Sequence, residues 1–268
     1  MTGWNAWAIC AWGVAWREML RFFQQKERFF AALVRPLVWL IIFAAGIRAV
    51  LGIPPQPPYQ TYMTYDDYVV PGLCAMIQLF NGMQSSLSMV YDRETGAMRT
   101  LLVSPFPRWY VLTCKLFASV TVSLVQVYTF LLIAYFWGIE PPAWGYLTAL
   151  PALILSGLLL GAIGLLLSSA IKQLENFAGV MNFVIFPMFF ASTALFPLWR
   201  IREGSLEVYY IAAFNPFTHC VELIRFALYL DVSWLSLGVV VGGIAVFLGA
   251  AVVAYNPSRG LMARRGRG

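Results

Sequence analysis

Charge is what this chain most lacks. Asp, Glu, Lys and Arg make up 11% of it, where a soluble domain carries about 25%. A chain of 268 residues can bury a large core, but a soluble fold also needs a polar exterior, and these few charges cannot supply one. They are clustered between long apolar stretches, the pattern of a chain solvated by lipid. Histidine is reduced to His219, so no site with several imidazoles can hold a metal. The four cysteines (Cys10, Cys74, Cys114, Cys220) show no Cys-x-x-Cys spacing and are expected at different depths or sides, which argues against disulfides and zinc. No Gly-x-x-x-x-Gly-Lys-Ser/Thr run occurs, so no P-loop is present to bind and hydrolyse ATP. The first fifteen residues contain no Lys or Arg, the basic part of a secretory signal, and no cleaved leader is expected.

Apolar residues fill the space that charge leaves. They reach 60%, and the mean hydropathy is +0.73. The chain reads as an all-α integral membrane protein with six spans, each near the ~20 residues a bilayer core requires. They run from about Phe29 to Gly52, Val69 to Tyr91, Trp109 to Trp137, Tyr146 to Ile171, Phe177 to Trp199 and Leu235 to Tyr255. Arg35 and Arg48 are expected near the two ends of the first span, where they can snorkel, and Lys115 near the start of the third. The runs are long and unbroken, without the alternation of barrel strands. Lys and Arg concentrate in residues 1–28, in the loop after the second span, at Lys172 and in the tail, while the alternate loops are poorer. Both termini are therefore expected in the cytoplasm. This rule and contact with anionic lipid account for the net charge of +6, and nucleic acid is not an expected partner.

Three regions are more than lipid filler. Residues 1–28 place Arg17, Arg21, Gln24 and Arg28 on one helical stripe and Trp12, Trp16, Leu20 and Phe23 on another. This suits an amphipathic helix in the inner interface, or a water-exposed lead-in to the first span. Residues 92–108 form a short cytoplasmic loop in which Glu94 to Val103 can make two or three helical turns. Such a helix can press Met98, Leu101 and Leu102 into a groove on a cytosolic partner; the same residues also suit a plain loop resting in the headgroups. Residues 200–234 hold two apolar runs, each too short to span, joined by Asn215-Pro216. Asn215 suits a helix cap and Pro216 the first helical position, and Glu222 and Arg225 are spaced to pair. The segment reads as a re-entrant hairpin in the outer leaflet, or as a loop lying flat on the interface. Gly157-x-x-x-Gly161 and Gly238-x-x-x-Gly242 permit close helix packing, within one bundle or between subunits.

The order of these elements resembles the permease subunit of ABC-2-type exporters, in the subgroup of nodulation-type lipo-oligosaccharide and drug-export permeases. The resemblance covers nearly the whole chain as one transmembrane domain, 1–268. It is carried by Tyr68-Val69-Val70-Pro71-Gly72-Leu73, by Glu94-x-Gly96 followed by Leu101-Leu102-Val103-Ser104-Pro105-Phe106-Pro107, and by Asn215-Pro216 followed by Arg225. It implies a homodimer of permeases in a bacterial cytoplasmic membrane, with two copies of a separate ABC ATPase docked below. ATP and Mg would sit on that partner, and this chain would bind no cofactor and catalyse nothing itself. Coupling would fall to Arg93, Glu94, Thr95, Gly96, Ala97, Met98, Arg99, Leu101, Leu102 and Pro105, with Arg17, Glu18 and Arg21 beside them. Phe186, Phe189, Phe190 and Phe196 are candidates to line the pathway for an amphiphilic or lipid-linked substrate. Two other classes stand beside this one. An intramembrane enzyme would have Ser192 and His219 as its only candidates for nucleophile and base. The other is a non-transporting membrane scaffold or assembly factor.

Overall fold

The computed structural model describes residues 4–24, 26–47, 56–94, 106–171 and 174–254. Among them are ten helices: α1 (Trp4–Gln24), α2 (Lys26–Ile47), α3 (Tyr65–Glu94), α4 (Arg108–Phe136), α5 (Gly145–Ala170), α6 (Leu174–Phe190), α7 (Leu198–Gly204), α8 (Leu206–Phe214), α9 (Pro216–Leu228) and α10 (Trp234–Ala254). The stretches Trp109–Phe136, Gly145–Ala170 and Trp234–Ala254 are long and apolar enough to cross a membrane, and α2 and α6 carry shorter apolar stretches, Ala32–Ile42 and Gly179–Phe190.

The longest helix is not among those three, and the reason is its place in the bundle. α3 packs against α2, α4, α5, α6 and α9. It is shielded from lipid, so its side chains can be polar where a neighbour answers them. Gln78 and Asn81 are buried. The Gln78 amide donates to the Leu153 carbonyl at 2.6 Å, and the Asn81 amide donates to the Gln126 side chain. Two such bonds fix α3 against α5 and α4. Small residues bring α3 and α5 closer still. A Cβ on Gly82 would lie 3.0 Å from Gly161 Cα, so the Gly157–Gly161 pair works inside the bundle; Gly238 and Gly242 meet nothing within 4 Å in the single chain.

Several sequence expectations need correction. The fifth apolar stretch does not run on as helix to Trp199: α6 ends at Phe190, residues 191–196 are irregular, and α7 is a separate helix. The Ser192 hydroxyl turns back to the Phe189 carbonyl at 2.5 Å, and Pro197 cannot donate to a continuing helix. Arg35 is not at the end of its helix, and its guanidinium lies 3.8 Å from the centre of the Phe80 ring. Lys115 is buried rather than snorkelled. Arg48 lies outside the described residues. Helix α1 stops at Gln24, and Arg28 falls on α2.

Helix α1 lies along α4. The Trp7 ring packs edge-on against Phe106 and Tyr110, at 5.1 and 4.6 Å between centroids. The Tyr110 hydroxyl donates to the Trp7 carbonyl at 2.5 Å. Trp12, Trp16 and Leu20 are left exposed on α1, and the first two rings stack at 6.1 Å.

The Asn81–Gln126 bond gives a direct test of the interior. Asn81→Leu or Gln126→Leu alone leaves an amide unanswered and is expected to cost about 1–2 kcal/mol. The double substitution should cost less than the sum of the two. Thermal unfolding of the four proteins in detergent measures the coupling.

Candidate functional site

Where α6 ends, the chain leaves the helical hydrogen-bond ladder but stays inside the bundle. Ser192, Thr193, Ala194 and Leu195 are all buried. Carbonyls in such a segment need donors that a next helical turn does not supply. Side chains from α3 and α9, with the Asn215 junction, do so instead. The Tyr65 hydroxyl donates to the Leu195 carbonyl at 3.0 Å, and the Tyr68 hydroxyl to the Thr193 carbonyl at 2.9 Å. The Asn215 amide donates to the carbonyls of Met188 and Ala191 at 2.8 and 2.6 Å. Arg225 donates through Nη2 to the Thr193 carbonyl at 2.9 Å and to the Tyr68 carbonyl at 3.3 Å.

The geometry of Asn215 and Arg225 follows from the local sequence. Asn215 joins α8 to α9 and caps α9, its side-chain oxygen accepting from the Phe217 N–H at 3.0 Å, with Pro216 in the first turn. A cap uses only the oxygen of the amide, so the nitrogen stays available for α6. Glu222 and Arg225 sit one turn apart on α9 and pair at 2.5 Å. The Arg225 guanidinium also lies 4.0 Å from the centre of the Tyr68 ring. Its side chain is 2% exposed. Burial by itself opposes that charge, and the Glu222 carboxylate beside it offsets the cost.

The rest of the cluster closes around this pair. Burial pushes the Tyr59 phenol up from its usual value, against the pull of Arg225. The Tyr59 ring lies 4.4 Å from that of Tyr229, and its hydroxyl donates to the Asp67 carbonyl at 3.2 Å. Trp199 on α7 donates to the Gln56 side chain at 3.0 Å. Gly72 is required by contact: a Cβ there would lie 2.6 Å from the Ala194 carbonyl oxygen. The far end of α9 rests on the start of α5, where the Thr148 hydroxyl donates to the Ala227 carbonyl at 2.6 Å and Gly145 abuts the Leu228 carbonyl.

Asn215, Pro216, Glu222 and Arg225 thus come together, and they meet partners that sequence reasoning did not single out: Tyr59, Tyr65 and Thr193, and Tyr68 in this role. Phe186 and Phe190 are exposed on α6, whereas Phe189 is 2% exposed and belongs to the core, edge-on to Phe217 at 6.1 Å. Phe196 is half-buried in the irregular segment. Arg93 and Glu94 end α3. Thr95, Gly96, Ala97, Met98, Arg99, Leu101, Leu102 and Pro105 lie outside the described residues. Arg17 and Glu18 adjoin on α1 at 4.0 Å, and Arg21 follows them on the same helix. Ser192 and His219 each turn to backbone, the His219 ring to the Ala213 carbonyl at 3.1 Å, and neither serves the other. Among the described residues no group of three His, Cys, Asp or Glu can hold a metal.

Long apolar helices packed in this way define a multi-pass membrane protein. The model of the family described as ABC-2 type transporter matches residues 11–229. The chain belongs to that family, the permeases of ABC transporters whose ATPase is a separate subunit. It is similar to a putative transport permease, ycf38, of Cyanophora paradoxa, at 29% identity over 80% of this chain and 73% of that one. It is also similar to a probable multidrug ABC transporter permease, YbhR, of Escherichia coli K12, at 30% identity over 67% of this chain and 49% of that one. Nodulation protein J of Rhizobium leguminosarum bv. viciae matches at 33% identity over 30% of this chain.

Arg225→Ala removes one partner of a buried pair, leaving Glu222 without its cation and the Thr193 carbonyl with Tyr68 alone. It is expected to cost about 3 kcal/mol, read as a lowered thermal midpoint in detergent. Arg225→Lys should lose less, because it keeps the charge.

Proposed function

We propose that this chain is the permease of an ATP-driven exporter in a bacterial cytoplasmic membrane. Two copies form the pathway, and two copies of a separate ATPase, carrying ATP and Mg, dock beneath them. In this reading α2, α3, α4, α5, α6 and α10 are the six spans, and both termini face the cytoplasm. The observation that carries the reading is the placement of α3. This 30-residue helix spans about 45 Å at ~1.5 Å per residue. One end enters the loop that begins after Glu94, and the other holds the buried cluster through Tyr65 and Tyr68. A push received at the loop is therefore delivered along one rod to the outer end. Glu94 to Leu102 form the main ATPase contact, with Arg17, Glu18 and Arg21 beside them.

Helices α8 and α9 form a re-entrant hairpin in the outer leaflet. The supporting observation is the run of α9 along α5. Leu228 abuts Gly145 at the start of α5, and Cys220 lies beside Ser156, well along it. A course of α9 beside a spanning helix supports the re-entrant reading over a loop lying flat. The cargo is amphiphilic or lipid-linked, which suits the exposed rings of Phe186 and Phe190 on α6. A multidrug exporter or a nodulation-type exporter, the roles in the relatives' names, fits this cargo class.

Replacing Met98, Leu101 and Leu102 together with Asp should abolish co-purification of the ATPase while the permease still inserts. Undiminished co-purification would remove the coupling assignment. Efflux of a labelled amphiphile from vesicles should need both ATP and the ATPase; a scaffold would show none.

For the topology, Trp234→Cys at the start of α10 is a better probe than the native Cys220, which is fully buried. Trp234→Cys should react with an impermeant thiol reagent from the outside only. Reaction from the cytoplasmic side would reverse the orientation.

A further inference from the structure

On the proposed spans every Asp and Glu lies within about a turn of a helix end: Glu27 on α2, Asp66, Asp67, Asp92 and Glu94 on α3, and Glu175 on α6. Against that background Arg35 is misplaced. It is exposed on α2, and its guanidinium lies 3.8 Å from the centre of the Phe80 ring. Phe80 sits at the middle of α3, which makes it roughly 20 Å from either end at ~1.5 Å per residue. In the orientation proposed above, that is the middle of the bilayer. Among the described residues no carboxylate pairs with Arg35. A cation at this depth requires an anion or water. A second copy of the chain offers none at this depth, because the carboxylates of its spans lie at the helix ends.

What surrounds Arg35 narrows the choice. One turn further along α2, the Trp39 ring lies 5.6 and 5.7 Å from those of Phe189 and Phe190. Phe190 in turn stacks on Phe186 at 6.1 Å, and both of these rings are exposed. A single positive charge therefore stands at the inner end of an aromatic wall. That is the complement of a molecule with one anionic group and a long apolar body.

We propose that Arg35, held on Phe80, receives the anionic headgroup of the exported amphiphile, whose apolar chain lies along Trp39, Phe186 and Phe190. This rests on the exporter reading and adds the sign of the cargo. Phosphate, sulfate and carboxylate headgroups all qualify; cationic amphiphiles do not.

Two arms test it. In the first, the purified full-length permease in nanodiscs of neutral lipid is titrated with tetradecyl phosphate and with tetradecyl maltoside. The native protein should favour the phosphate about tenfold or more, as a charge pair in a low-dielectric site gives. Arg35→Lys should keep most of that preference, and Arg35→Gln should bring the two ligands to parity without weakening the maltoside. Equal affinities in the native protein, or an undiminished preference in Arg35→Gln, would overturn the proposal. So would equal competition by phosphatidylglycerol, which assigns the charge to bilayer lipid. In the second arm, the permease with its ATPase is assayed for ATP-driven movement of fluorescent alkyl phosphate and of its neutral alcohol. Selective loss of phosphate transport in Arg35→Gln is expected. If the native complex moves neither compound, the exporter reading fails whatever the binding arm shows. If it moves both alike in native and variant, the reading stands and the role of Arg35 falls.

Discussion

The structure depends on a stretch of backbone that is not a helix. Between Phe190 and Pro197 the chain is buried and irregular, a combination a lipid-solvated protein tolerates only where protein supplies the missing donors. Four side chains do so: Tyr65 and Tyr68 at the head of α3, Asn215 at the α8–α9 junction, and Arg225 on α9. They come from distant parts of the sequence, so the segment cannot form before those parts meet. The same bonds tie three otherwise separate elements into one outer assembly. Gly72 makes the approach possible, since any side chain there would collide with Ala194.

That assembly gives α3 two unlike ends. At the outer end its hydroxyls are committed to backbone carbonyls. Along its length it is locked to α4 and α5 by amide bonds and by the Gly82–Gly161 contact. Its inner end leads directly into the charged loop proposed to meet the ATPase. A helix held so firmly transmits a displacement rather than absorbing it. Beside it lie α2 and α6, which carry Arg35, Trp39, Phe186 and Phe190.

Much of this was legible in the sequence, for reasons that also mark the limits. Asn215-Pro216 could be read as a helix start because capping is local, and Glu222 could be matched to Arg225 because their spacing is one turn. The helices themselves declared their lengths through apolar runs. The bonds of Tyr68 and Arg225 to Thr193 were hidden, because a carbonyl acceptor is the same in every residue and leaves no trace in composition. The overrun of the fifth span has the same origin. Hydropathy records what side chains prefer, and Ala191 to Phe196 prefer an apolar setting; it does not record where the backbone finds its bonds. Arg35 was misjudged because snorkelling presumes a helix end close by, and the ring of Phe80 offered a nearer resting place.

The polar interior of α3 also has a consequence for how the protein is made. A helix such as α10, whose exposed side chains are apolar, can partition from the insertion machinery into lipid by itself. α3 cannot do so at the same cost, because Gln78 and Asn81 find their partners only on α5 and α4. Those helices emerge from the ribosome later. Until α4 and α5 arrive, the amides of Gln78 and Asn81 lack the partners they have in the finished bundle. The outer cluster can close over these three helices only once α9, later still in the chain, brings Arg225 into place.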